Sequence, residues 1–200
     1  MKAAVVSLAS LLLIPAAFAD DTRSMREFLA ARAARDAEVA RSIWEWAEVG
    51  YQETKSSALL QGELKRAGFR IETGVAAIPT AFVATAGSGR PVIGILAEFD
   101  ALPGINQDAV PERSPIPGKG AGHACGHHLF GTASTSAGIA IANWLKTSGT
   151  KGTIRVYGTP AEEGGAAKVY MVRAGLFDDV DVVMHWHAAD LNSAGLDRDP

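Results

Sequence analysis

The chain has 200 residues, 48% of them hydrophobic and 20% charged, which suits one globular domain with a core of its own. A net charge of −3, spread along the chain with no basic run or Lys/Arg-rich helix face, argues against a nucleic-acid partner. Cys125 is the only cysteine, which excludes an intrachain disulfide and leaves a thiol to be buried or held by a metal.

Lys2, an apolar stretch over residues 3–15 and the small-residue site Ala17-Phe18-Ala19 have the pattern of a secretory leader. Residues 1–19 are therefore expected to be cleaved off and the remainder exported, to the periplasm or out of the cell. A membrane anchor is the weaker alternative, because the apolar run is short and broken by Pro15. No later segment is long and uninterrupted enough to span a bilayer.

Ser24-Met25-Arg26-Glu27 reads as a capping box opening a helix. Met25, Phe28, Leu29, Ala33, Ala40, Ile43, Trp46 and Ala47 then recur at helical spacing, with Arg32 and Asp36 interrupting the apolar stripe. The middle of this helix is expected to be less buried than its ends, Trp44 and Trp46 to be packing residues, and Gly50 to end it. A second helix is expected over 56–67, stopped by Gly68. Short β-rich runs follow at 70–72, 80–85 and 91–97, with Gly87-Ser88-Gly89 as a turn. Residues 100–120 form a loop carrying Pro103, Pro111, Pro115 and Pro117, and a loop that long in a compact domain is usually functional. Beyond it the pattern predicts a buried helix over 129–145, a strand over 153–157, a helix over 166–174 and a strand over 180–187. Strands alternating with helices predict an α/β fold, a central mostly parallel sheet with helices on both faces.

Three segments carry chemistry. Gly122-His123-Ala124-Cys125-Gly126-His127-His128 places a thiol and three imidazoles in a glycine-punctuated turn before a helix. Thiolate and imidazole are the preferred donors for zinc and similar ions. The plain structural alternative is a tight turn with a buried thiol and surface histidines. Thr159-Pro160-Ala161-Glu162-Glu163-Gly164-Gly165 follows a predicted strand, and ligands bind at the carboxyl ends of strands in open α/β sheets. One of two adjacent carboxylates can bind metal while the other takes a proton from water that the metal activates. Alternatively, the pair is only an acidic start to the next helix. His185-Trp186-His187 closes the last predicted strand, where alternation sends both imidazoles to one side and the indole to the other. All three segments lie at strand ends or helix starts, where one cleft would form, and that agreement favours a metal site.

These motifs, in this order, resemble the di-metal amidohydrolase and aminoacylase/carboxypeptidase metallopeptidase family. The branch is that of the aminobenzoyl-glutamate and amino-acid-conjugate hydrolases. The resemblance also rests on Gly50-Tyr51-Gln52-Glu53, Pro79-Thr80-Ala81-Phe82-Val83-Ala84 and Ala97-Glu98-Phe99-Asp100-Ala101-Leu102-Pro103-Gly104. It implies a phosphorylase/hydrolase-like zinc-peptidase fold holding two divalent ions, zinc or manganese. Cys125 would bridge them, His127, Glu163 and His187 would be further ligands, and Glu162 the general base. His123, His128 and His185 would be neighbours of the ligands.

The implied reaction is hydrolysis of an N-acyl or N-aroyl amino acid, or of a small peptide, in a homodimeric protein. The resemblance further implies an inserted lid and dimerisation domain and another ligand histidine, neither of which occurs before Pro200. Residues 20–200 are accordingly expected to be the N-terminal part of a longer catalytic protein. Two other functions fit parts of the pattern. One is a non-catalytic exported metal-binding module, and the other a thiol hydrolase with Cys125 as nucleophile and His127 as base.

Overall fold

The computed structural model describes residues 16–189 and residue 191. The leader-like residues 1–15 thus lie outside the described residues. Helix α1 (Ala16–Trp46) is already helical at Ala16 and runs through Ser24 without starting there. The capping-box expectation is corrected. Nothing between Ala16 and Ser24 breaks a helix, and the alanines favour one. The helix also stops earlier than Gly50, at Trp46, where Ala47 takes the left-handed conformation (φ 44°). From Thr22 on, its buried residues lie at the C-terminal part and just beyond it: Val39, Ala40, Ile43 and Ala47. Arg32 and Asp36, which break the stripe, are bonded to each other and to Ser136 of the helix packed alongside. Among the described residues no helix is long and apolar enough to cross a membrane.

Helix α2 (Thr54–Arg66) leads into β1 (Arg70–Thr73), β2 (Phe82–Ser88) and β3 (Val92–Ala97). The long loop is closed at its ends by a two-residue ladder between β4 (Leu102–Pro103) and β5 (Ala121–Gly122). Helix α3 (His127–Ser148), β6 (Gly152–Gly158), the single turn α4 (Glu162–Gly165), α5 (Ala167–Arg173) and β7 (Val182–Met184) complete the order.

The main sheet has the order β1-β2-β6-β3-β7. The α/β expectation holds, with a mixed sheet: β6, β3 and β7 run parallel, while β1 against β2 and β2 against β6 are antiparallel. The connections explain the split. β3 reaches β6 by a crossover through α3, whereas a short link between β1 and β2 permits only an antiparallel pair.

Alternation along the central strands builds a core on each face. Phe82, Ala84, Ile95, Ala97, Ile154 and Val156 meet residues of α1, α2 and α3, including Ile43, Leu60, Leu64 and Ile139. Val83, Leu96 and Tyr157 face the other way, onto Ala167 and Met171 of α5 and onto Ile78. Fully burying a side chain such as Leu60 or Phe82 contributes about 1.5–3 kcal/mol. The three parallel strands therefore end on one side of a rigid slab. The edge strand β7 is the weak element, with all three residues exposed, and it is shorter than predicted: residues 185–187 lie beyond it.

Candidate metal centre

The carboxyl ends of β3, β6 and β7 and the N-terminus of α3 deliver every predicted site residue to one place. Gly126 starts α3 in the left-handed conformation (φ 81°), so the chain turns sharply between Cys125 and His127. Gly131 lets that end of α3 approach β3, since a Cβ there would lie 2.4 Å from the Glu98 carbonyl oxygen. The imidazole of His127 thereby sits against the segment that follows β3.

His127 is fully buried, and its Nδ1 lies 3.0 Å from Asp100 Oδ1 and 3.1 Å from the Asp100 carbonyl oxygen. Donation from Nδ1 leaves Nε2 as the free position. That atom is buried without a hydrogen-bond partner, although Glu98 Oε2 is 3.0 Å away. Burial works against charge on the ring, but Asp100 and Glu98 outweigh it and raise the His127 pKa to about 10. The site thus asks for a cation at Nε2, a proton in its absence.

Donor atoms of Cys125, His127 and His187 all lie within 4.8 Å of one another, and so do those of Glu98, His127 and Glu162. Cys125 Sγ is 3.2 Å from His187 Nε2. Burial, and next the negative charge of Glu163, push the thiol up to about 11. A thiol so held is a poor nucleophile on its own, which disfavours the thiol-hydrolase alternative. A metal ion reverses that preference, because a coordinating thiol is deprotonated.

The two acids after β6 differ in setting. Ala161 and Ala166, both left-handed, bracket the turn α4 that carries them, and strained backbone of this kind clusters at functional sites. The Ala161 N–H donates to Glu53 Oε1 at 2.8 Å, and the Glu163 N–H to Asp100 Oδ2 at 2.9 Å. Glu162 is exposed to the cleft. Glu163 is more enclosed, and its Oε1 is buried without a partner.

His185 and His187 both turn toward the centre, His185 Nε2 at 3.2 Å from Glu98 Oε1, while the Trp186 indole donates to Ser134 of α3. Phe130 supports all three, with ring centroids at 4.9, 5.2 and 6.4 Å from His185, Trp186 and His187. His123 and His128 do not join the donor set. Their rings lie 5.0 Å apart, His123 Nε2 donates to the Ile43 carbonyl, and burial lowers both pKa values to about 4.

The residues fit a divalent ion. Two buried polar atoms without partners, His127 Nε2 and Glu163 Oε1, occur where thiol, imidazole and carboxylate donors converge. Sequence reasoning gave no role to Glu53, Glu98, Asp100 or Lys168. Glu98 and Asp100 follow a β-rich run directly, so the strand-end rule applied to the other segments would have found them.

A model of peptidase family M20/M25/M40 matches residues 94–196. The chain is 46% identical over 155 residues to a p-aminobenzoyl-glutamate hydrolase polypeptide of Escherichia coli K12, covering 76% of this chain and 32% of that protein. It is 31% identical over 152 residues to hippurate hydrolase of Campylobacter jejuni, covering 74% and 38%. A dinuclear metal-binding peptidase of the M20 family from Bacillus subtilis superposes with a TM-score of 0.64 at 27% identity, covering 82% of this chain and 44% of the other. The chain spans less than half the length of each of these relatives.

Proposed function

The chain belongs to peptidase family M20/M25/M40, and from that premise we propose that the protein hydrolyses the amide bond of an N-aroyl or N-acyl amino acid with two divalent ions, zinc or manganese. The observation that carries this reading is the fully buried His127, held by Asp100, with Nε2 unpartnered amid Cys125, His187 and the strand-end acids. The aroyl preference is supported by the relatives that are named for aminobenzoyl-glutamate and hippurate.

When bound, the ions would polarise the substrate carbonyl and lower the pKa of a water. Cys125, His127, Glu163 and His187 would hold them. Asp100 fixes the His127 tautomer, a partner that metal-binding histidines generally need. Its second oxygen anchors the backbone of Glu163, so one carboxylate sets two ligands. Glu162, exposed on the cleft side of α4, takes the proton from the attacking water and returns it to the leaving nitrogen as the C–N bond breaks.

Stripping metal from the intact protein should abolish hydrolysis of p-aminobenzoyl-glutamate and hippurate, and zinc or manganese should restore it. Equal turnover in metal-free protein would end this reading. Residues 1–19 support export, and a mature N-terminus at Asp20 would bear that out, whereas an intact Met1 would not.

A further inference from the structure

Among the described residues, Glu98 is the strand-end acid that is almost fully buried and faces the unpartnered nitrogen of His127. It is 2% exposed. Burying a carboxylate is strongly unfavourable unless it is paired and hydrogen-bonded. Its two oxygens are used differently. Oε1 is taken by Lys168 Nζ at 2.5 Å and by His185 Nε2 at 3.2 Å. Oε2 is turned to His127 Nε2 at 3.0 Å, and that contact leaves Nε2 without a hydrogen bond. Two donors therefore clamp one oxygen, from α5 and from the segment after β7, and the clamp aims the other.

We propose that Glu98 is a further protein ligand of the metal centre, its Oε2 sharing an ion with His127 Nε2. The inference rests on the metal-centre reading and adds to it a hard oxygen donor on the side of His127 that also holds Glu162. Cys125 and His187 offer a soft sulfur and a nitrogen; Glu98 offers a carboxylate oxygen, with the base Glu162 beside it. The two sets meet at His127. A ligand clamped through its other oxygen is pre-oriented, so it loses little freedom on binding. Lys168 and His185 act through Glu98 and are positioning residues.

The test is metal binding by the intact protein carrying Glu98→Gln, measured by chelator competition with zinc and by the visible spectrum of the cobalt(II)-loaded form. The amide is isosteric and can still accept from Lys168 and His185, so the fold is kept while the anionic ligand is lost. The ion shared with His127 should bind about tenfold more weakly or worse, with an altered cobalt spectrum. Glu98→Asp, which keeps the charge, should bind more tightly than Glu98→Gln. Parent-like affinity and spectrum in Glu98→Gln would overturn the inference, as would an aspartate variant no tighter than the glutamine one, since that assigns the loss to packing. Cys125→Ser and His187→Ala run alongside separate the two claims. If these weaken metal binding and Glu98→Gln does not, only the role of Glu98 falls. If none of the three does, the metal centre itself falls with it.

Discussion

Two of the buried glutamates, Glu63 and Glu98, are accommodated in opposite ways. In the seam between α1 and α2, Glu63 is 5% exposed and met by Arg35 at 2.7 and 3.0 Å, by Arg32 at 3.6 Å and by Arg66. Burial would raise its pKa, but the arginines outweigh it and hold the carboxyl low. At the sheet end, Glu98 is met by Lys168, His185 and His127. There too burial is outweighed, by His127 and Lys168, and the pKa falls to about 2. The difference lies in what the neighbours can give up. Arginine keeps its protons at any ordinary pH, so Glu63 is closed off as a structural network. Imidazole can exchange its proton for a metal, and around Glu98 a ring nitrogen and a carboxylate oxygen are left over. Equal burial of charge thus serves structure in one place and a site in the other.

That contrast breaks if mutations at the sheet end spare metal binding, or if mutations in the seam harm it. The largest loss is expected from His187→Ala, which removes a donor outright; chelator competition should show about 100-fold weaker binding, near the top of the range known for supporting residues alone. His185→Ala should cost less, because it reaches Glu98 rather than Cys125. The reverse order would exchange the roles of the two histidines. Asp100→Asn comes next, at about 10–100-fold, since it loosens both His127 and the backbone of Glu163. Unchanged affinity would mean that the His127 tautomer is set elsewhere. Arg35→Ala should be smallest: its guanidinium is half exposed, so the expected cost is about 1 kcal/mol or less in urea unfolding, with metal affinity untouched. Any loss of metal in that variant would dissolve the distinction between the two regions.

The sequence patterns pointed to the segments of the candidate centre more directly than to its surroundings. The three segments that carry Cys125, His127, Glu162, Glu163 and His187 stood out because ligand types cluster there next to turn residues and strand ends, whereas the choice among their histidines and acids came from the family resemblance. Helix α2 and the central strands were legible from periodicity and glycine punctuation, within a few residues at each end. Glu98 and Asp100 were passed over although they directly follow the β-rich run 91–97, where the strand-end rule applies as it does after β6. Tertiary contacts decided the rest. The mixed sheet depends on which strands β6 slips between, and the three residues after Met184 leave the sheet to pack on Phe130. The helix start at Ser24 was misread because a local capping pattern cannot reveal that the helix is already running.

The most direct test of the hydrolytic centre is Glu162→Gln in the intact protein, with metal content and hydrolysis of p-aminobenzoyl-glutamate measured on the same sample. With Glu162 as the base, metal content stays at the parent level while turnover falls by about 10²–10⁴-fold. Full metal content with unchanged turnover would contradict it and remove Glu162 from the chemistry.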